Sequence, residues 1–188
     1  MSREPDLFDW RLARLWAIAT TAGVFVGGFL GVYAGFWAAA AVRSGLQGES
    51  SDNVALVAVV VGFAVAAAIT GWMQQCVLQR RLAWPGLWVL LTTLGVVLAA
   101  VFSHLIGTFY STLGSIGGLT GLGVGVAQWF LLKRQSKYAI AWIPVNAIAG
   151  GLGLSLLNGA APLGPVAYAL ITAGAIAWLL SPRNSTPD

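Results

Sequence analysis

Charged side chains are scarce in this chain. Aspartate, glutamate, lysine and arginine make up only 9% of its 188 residues, whereas 58% of the residues are hydrophobic. This is too little polar surface to cover a soluble globule of that size, so the composition predicts a membrane protein. All acidic residues lie near the termini or in one loop, which leaves the apolar segments without a carboxylate: Glu4, Asp6, Asp9, Glu49, Asp52 and Asp188. Proton pumps and carboxylate-coupled transporters usually need a carboxylate within the membrane.

Histidine and cysteine occur once each, as His104 and Cys76. A single cysteine cannot form an internal disulfide. Intramembrane proteolysis would need an aspartate pair, a serine with a histidine or a His-Glu zinc motif, and the absence of all three predicts a protein that is not an enzyme. His104 could hold a tetrapyrrole metal through its ring nitrogen, although a lone histidine near a helix end more often makes an ordinary hydrogen bond. We therefore predict no cofactor and no metal.

The basic residues are unevenly placed. The net charge of +4 could suggest nucleic acid, but the basic residues form short clusters beside apolar runs, a pattern typical of membrane topology rather than of a nucleic-acid partner. In a six-helix arrangement Arg43 falls on one side, and all the others fall on the opposite side: Arg3, Arg11, Arg14, Arg80, Arg81, Lys133, Arg134, Lys137 and Arg183. The positive-inside rule then predicts cytoplasmic termini in a bacterial inner or thylakoid-type membrane.

Six apolar segments account for most of the chain. They run over about Leu15 to Val42, Val54 to Leu78, Gly86 to Leu105, Ser111 to Leu132, Ala139 to Leu157 and Pro165 to Leu180. A membrane-spanning helix needs roughly 20 apolar residues, and fewer where the bilayer thins. We predict an interfacial or disordered arm over residues 1–14, a six-helix transmembrane domain over 15–180 and a cytoplasmic tail over 181–188.

A sequence signature recurs at the ends of alternate segments. The first copy aligns without gaps on the second, with Gly71, Gln74, Leu78, Arg80 and Trp88 matching Gly125, Gln128, Leu132, Arg134 and Trp142. A partial third copy contains Gly174, Trp178, Leu180 and Arg183. The opening helices also match, with Trp16 and Thr20 corresponding to Trp88 and Thr92 and to Trp142 and Asn146. The repeat predicts three helical hairpins around a pseudo-threefold axis normal to the membrane.

Neutral polar residues within the segments form one predicted band. Its members are Thr20, Gln74, Thr92, Gln128 and Asn146. Such groups are costly in hydrocarbon unless they are paired, so we expect Gln74 and Gln128 to hydrogen-bond to the opening helices near the axis. The third copy has Ala177 at the glutamine position, which predicts an incomplete ring with a gap beside it.

Small residues recur at helical spacing in two stripes, Gly27, Gly31 and Gly35 in the first segment and Gly117, Gly121 and Gly125 in the fourth. Stripes of this kind let helix backbones approach closely. Two readings stay open, packing within the chain or a face for a membrane-protein partner or a second copy. Aromatic residues at the helix ends predict an interfacial belt on the cytoplasmic side: Trp16, Trp84, Trp88, Trp129, Tyr138, Trp142 and Trp178.

The stretch GVAQWFLLKRQ, together with Trp88 and Trp142 at the starts of the next helices, resembles a group of bacterial membrane proteins common in cyanobacteria and filamentous phototrophs. Their repeats read roughly Gln-Trp-Leu-x-Leu-Arg-Arg, followed by a tryptophan-rich helix start. The resemblance covers about Gly71 to Gly151 and departs at Gln75, where the pattern has tryptophan. It implies a repeated polytopic membrane protein and no particular activity.

Together these features predict a non-catalytic accessory or scaffold subunit of a membrane complex, in contact with the lipid bilayer. The alternative is a channel or transporter for a small neutral solute, because parallel repeats also occur in transporters.

Overall fold

The computed structural model describes residues 8–45, 51–82, 84–106, 113–157, 163–181 and 184. Within these ranges the fold is all-helical, with α1 (Trp10–Gly45), α2 (Ser51–Leu78), α3 (Gly86–Leu105), α4 (Leu113–Leu132), α5 (Trp142–Leu157) and α6 (Leu163–Leu179). A short 3-10 turn over Ala139–Ala141 leads into α5. The predicted all-α membrane class agrees with this, because five of these helices are long and apolar enough to cross a membrane by length and composition.

The helices differ in length. α1 has 36 residues and α6 has 17. At 1.5 Å per residue these are about 54 Å and about 26 Å, against a hydrocarbon core of about 30 Å. α1 therefore exceeds the thickness of the bilayer and α6 falls slightly short of it.

α1 begins earlier than the sequence suggested. The carboxylate of Asp9 accepts a hydrogen bond from the Leu12 N–H at 2.9 Å and so caps the first turn. Trp10 to Arg14, assigned above to the N-terminal arm, are consequently the first turns of α1, and Leu12 is buried in the core. Residues 1–7 of the predicted arm lie outside the described residues, as does most of the predicted tail.

The helices form a closed ring. Each helix packs against its neighbours in the chain, and α6 packs against α1. The α1–α2 and α4–α5 pairs have the most extensive contacts. The other four interfaces are less extensive, so the packing around the ring is not uniform. We call the end at which α1, α3 and α5 begin the basic end, because Arg11, Arg81 and Lys133 lie there.

The glycines of both stripes face a neighbouring helix of the same chain. A Cβ added to Gly27 would lie 2.7 Å from the carbonyl oxygen of Ala66 in α2, and one added to Gly125 would lie 2.9 Å from the Cα of Ile143 in α5. The remaining stripe residues make comparable backbone contacts with α2 or α5: Gly31, Gly35, Gly117 and Gly121. Of the two readings, the structure supports packing within the chain, and these surfaces are occupied rather than open to a second subunit.

Substituting neighbouring glycines of α1 should have opposite effects. Gly27→Ala forces a methyl group against the α2 backbone, and such overpacking costs roughly 1 to 3 kcal/mol. Gly28 has no atom within 4 Å of an added Cβ. Gly28→Ala should therefore leave stability unchanged or raise it by up to about 1 kcal/mol through helix propensity. Thermal unfolding in detergent measures both, and equal shifts for the two variants would contradict the packing described here.

Acid should weaken the ion pair between Asp9, at the start of α1, and Arg81, in the connection after α2. Partial burial of Asp9 opposes its ionisation, but hydrogen bonds from the Leu12 N–H and the Arg81 guanidinium outweigh this, so the pKa of Asp9 lies below its ordinary value of 3.8. A carboxylate with a lowered folded-state pKa stabilises the fold above its unfolded-state pKa, and this contribution is lost as the pH falls through the folded-state pKa.

We therefore expect the Tm of wild type to exceed that of Asp9→Asn at neutral pH. The difference in Tm should become smaller below pH 3.8. Asparagine keeps the helix cap, so the comparison isolates the charge of Asp9. A Tm difference that stays constant from neutral to acidic pH would show that this charge contributes nothing.

Candidate functional site

Three tryptophans meet inside the basic end of the ring. Trp16, Trp88 and Trp142 are 0%, 0% and 1% exposed. Their ring centroids are 5.7 Å apart for Trp16 and Trp88, 6.0 Å for Trp16 and Trp142, and 6.4 Å for Trp88 and Trp142. These are favourable aromatic contact distances. We call these three residues the tryptophan cluster.

The tryptophan cluster corrects the predicted aromatic belt. Trp16, Trp88 and Trp142 were assigned to the membrane interface, but they are buried among helices. Trp84, Tyr138 and Trp178 are exposed and keep the surface position expected of a belt. Trp129 is half-buried. The sequence does not distinguish a buried tryptophan at a helix end from one at the membrane interface. Whether the side chain points inward or toward lipid depends on how the helix is rotated.

The indole nitrogen of each clustered tryptophan donates to a polar residue on a neighbouring helix. Trp88 Nε1 donates to Gln74 Oε1 at 3.0 Å, and the amide nitrogen of Gln74 donates to Thr20 Oγ1 at 3.1 Å. Gln74 therefore joins α2 to α3 on one side and to α1 on the other. All of these side chains are buried.

The same arrangement recurs at α4. Trp142 Nε1 donates to Gln128 Oε1 at 2.8 Å, and Gln128 Nε2 donates to Thr92 Oγ1 at 2.8 Å. In both cases the tryptophan follows the glutamine by 14 residues. Gln74 and Gln128 thus make the hydrogen bonds to the opening helices that the sequence predicted.

At α6 two residues replace the single glutamine. Trp16 Nε1 donates to Thr172 Oγ1 at 3.1 Å, and the Tyr168 hydroxyl donates to Asn146 Oδ1 at 3.0 Å. The predicted gap beside Ala177 is therefore wrong. Ala177 is buried in the apolar core around the tryptophan cluster, and Thr172 and Tyr168, which precede it in α6, complete the ring.

The hydrogen-bonding capacity of these side chains is largely used within the chain. The Thr92 and Thr172 hydroxyls donate to the carbonyl oxygens of Trp88 and Tyr168, and Asn146 Nδ2 donates to the carbonyl oxygen of Trp142. We call the whole set the polar ring: Trp16, Thr20, Gln74, Trp88, Thr92, Gln128, Trp142, Asn146, Tyr168 and Thr172. It places a side-chain hydrogen bond at each of the six helix interfaces.

Tyr168 and Thr172 are the two members of the polar ring that were not named from the sequence, whereas its three tryptophans were named but assigned to the interface. Tyr168 and Thr172 are four residues apart in an otherwise apolar helix, so they share one face, and this spacing could have identified them. The alignment on Gly174 and Trp178 instead placed Ala177 opposite the glutamines. In fact Gly174 has no atom within 4 Å of an added Cβ, unlike Gly71 and Gly125, which face a neighbouring helix.

His104 lies apart from the polar ring, in the last turn of α3 and half-buried. Among the described residues no three histidine, cysteine, aspartate or glutamate side chains are grouped to hold a metal ion. Cys76 is exposed on the outside of α2. Of the residues predicted from the sequence, those of the polar band therefore lie together, and His104 does not join them.

Over the residues that the structure describes, these features together define an all-helical protein with a hydrogen-bonded interior, and five of its helices are long and apolar enough to cross a membrane. Comparison with family models, with curated proteins and with solved structures finds no match to this chain. The resemblance to the repeated bacterial membrane proteins therefore stays a prediction, and the functional argument rests on the geometry.

Removing a glutamine of the polar ring should destabilise the protein. Gln128→Leu removes the acceptor of Trp142 Nε1 and the donor to Thr92 Oγ1, and interhelical hydrogen bonds in membranes contribute on the order of 1 kcal/mol each. Gln75→Leu is the matched control, since the buried Oε1 of Gln75 accepts no hydrogen bond. We expect a lower Tm in detergent for the first variant and an unchanged or higher Tm for the second. The same loss in both variants would argue against the ring.

Coupling between two members should also be measurable. Trp142→Phe removes the indole donor and should cost less stability in the Gln128→Leu background than in wild type, because the acceptor is already gone there. The expected coupling is on the order of 1 kcal/mol. Additive effects of the two substitutions in a double-mutant cycle would contradict the Trp142–Gln128 contact.

Proposed function

We propose that this protein is a non-catalytic structural subunit, an accessory or scaffold protein of a membrane complex, and that its interior does not conduct. The observation that carries this proposal is the polar ring, whose side chains bond to one another across the helix interfaces. A transport pathway needs polar groups that a solute can reach and then leave. Here those groups are engaged with protein atoms, and the tryptophan cluster fills the axis beside them.

The alternative is a passage for a small neutral solute. It is favoured by the polar ring itself, since neutral polar side chains brought to one depth also occur in selective pores. For conduction, the tryptophan cluster would have to move and several hydrogen bonds would have to exchange for bonds to the solute. Holding the helices together is therefore the simpler function for the same residues.

We also propose that the three hairpins are equivalent units around a pseudo-threefold axis, as the sequence repeat suggests. The nearly equal separations within the tryptophan cluster support this. On this proposal the basic end faces the cytoplasm, in a bacterial inner or thylakoid-type membrane, because of the positive-inside rule.

Flux in proteoliposomes distinguishes scaffold from channel. For the scaffold we expect no protein-dependent permeability to water or small neutral solutes, either in wild type or in Gln74→Leu/Gln128→Leu, and a lower Tm for the double variant. Wild-type permeability that the double variant loses would establish the channel instead. Purification in mild detergent should also yield a particle larger than one chain with its detergent belt, and a lone, non-conducting chain would contradict the scaffold.

Single cysteines in a Cys76→Ser background test the orientation. Ser44 and Gln79 are exposed at opposite ends of the bundle. We expect Ser44→Cys to react with an impermeant thiol reagent added outside intact cells, and Gln79→Cys to react only after the membrane is opened. The reverse labelling pattern would invert the proposed topology.

A further inference from the structure

A groove opens on the outside of the bundle at its basic end, between the start of α3 and the end of α4. Its volume is about 430 Å³, and its lining residues are Leu82, Trp84, Leu87, Leu91, Phe130, Leu131, Lys133, Arg134 and Gln135. Small-molecule sites in proteins typically range over roughly 300 to 1,000 Å³. The groove is therefore large enough to hold part of a small molecule or of a lipid.

The wall of the groove is apolar and faces away from the helix ring. Leu87 and Phe130 are 41% and 50% exposed, and Trp84, in the connection before α3, is 63% exposed. In a chain whose helices are long enough to span a bilayer, outward-facing side chains at helix ends lie beside the part of the lipid acyl chains that is closest to the headgroups.

The rim of the same groove is cationic. Lys133 and Arg134 follow directly after the last residue of α4, a position where the helix dipole favours positive charge. The Lys133 ammonium lies 4.9 Å from the ring centroid of Trp129 and 4.8 Å from that of Phe130, so cation–π contacts hold it close to these two rings. A hydrogen-bonding side chain, Gln135, lies at the same rim.

We propose that this groove binds an anionic phospholipid. Its phosphate lies between Lys133 and Arg134, and the upper part of an acyl chain lies along Leu87, Leu91 and Phe130. The match is one of charge and polarity together, because an anionic phospholipid has a negative group directly above an apolar chain. Basic pockets between membrane helices at the headgroup level are typical sites for anionic headgroups.

An aromatic stack lies at the end of α6. There Tyr138 stacks on Trp178, with ring centroids 5.3 Å apart and an interplanar angle of 27°. By the sequence repeat Tyr138 corresponds to Trp84, which is free of such a stack among the described aromatic contacts and borders the groove. Trp84 is therefore placed to line the groove, whereas Tyr138 is engaged with Trp178.

Competition between lipids tests the site. The purified full chain, in mild detergent, is given an equimolar mixture of phosphatidylglycerol and phosphatidylcholine with identical acyl chains, and bound lipids are counted by native mass spectrometry. We expect wild type to retain phosphatidylglycerol preferentially. Each basic residue at a membrane surface contributes about fivefold to binding of anionic lipid, so Lys133→Gln/Arg134→Gln should lose most of the preference. Higher salt should weaken the preference in wild type.

Arg80→Gln/Lys137→Gln is the matched control, because it removes the same charge from exposed residues at the same end that do not line the groove. It should keep the wild-type preference. Leu87→Trp, which fills the apolar wall and keeps the charges, should reduce retention of both lipids. An equal loss of preference in the two double variants, or no preference in wild type, would overturn the site. The site depends on membrane insertion but not on the scaffold role, so flux through wild type would overturn the scaffold and leave the lipid site intact.

Discussion

A polar side chain buried among apolar helices in a membrane is costly unless it has a hydrogen-bonding partner within the protein. In this chain that requirement is met at each helix interface in turn. Gln74 and Gln128 each accept from a tryptophan of the following helix and donate to a threonine of the preceding one, and Tyr168 and Thr172 divide these two functions between them. Because each partner lies on a different helix, the bonds fix the order and rotation of the helices as well as adding stability.

The tryptophans connect the polar ring to the apolar core. Their ring faces and edges pack on one another at the axis, while their Nε1 groups point outward to the acceptors on α2, α4 and α6. A residue with only one of these properties could not replace them. Phenylalanine would leave the glutamine oxygens without a donor, whereas a smaller polar residue would leave a void at the axis. This explains why the opening helices have the same residue at the same place.

Part of this arrangement could be predicted from the sequence. The spacing of Gln74 and Gln128 from the arginines that follow, and of Thr20, Thr92 and Asn146 from their tryptophans, placed these residues at one depth. The donors were missed because a tryptophan near a helix end fits an interfacial belt equally well. The missing information was the rotation of each helix, which depends on its neighbours and not on its own pattern. The contribution of α6 was missed because it has no glutamine at the repeated position. Two other side chains, Tyr168 and Thr172, make the hydrogen bonds that a glutamine makes in α2 and α4.

The glycines and the polar ring stabilise the interfaces in different proportions. α1–α2 and α4–α5 have close backbone approach along much of their length, through Gly27 to Gly35 and Gly117 to Gly125. Dispersion contacts accumulate along such interfaces. The α1–α6 interface joins the first and last helices, so no connection in the chain holds it together, and it includes neither glycine stripe. The Trp16–Thr172 bond and the apolar contacts around Ile176 must hold this interface without that close backbone packing. Since Trp16 also belongs to the tryptophan cluster, loss of its contact with α6 would also disturb its packing against Trp88 and Trp142.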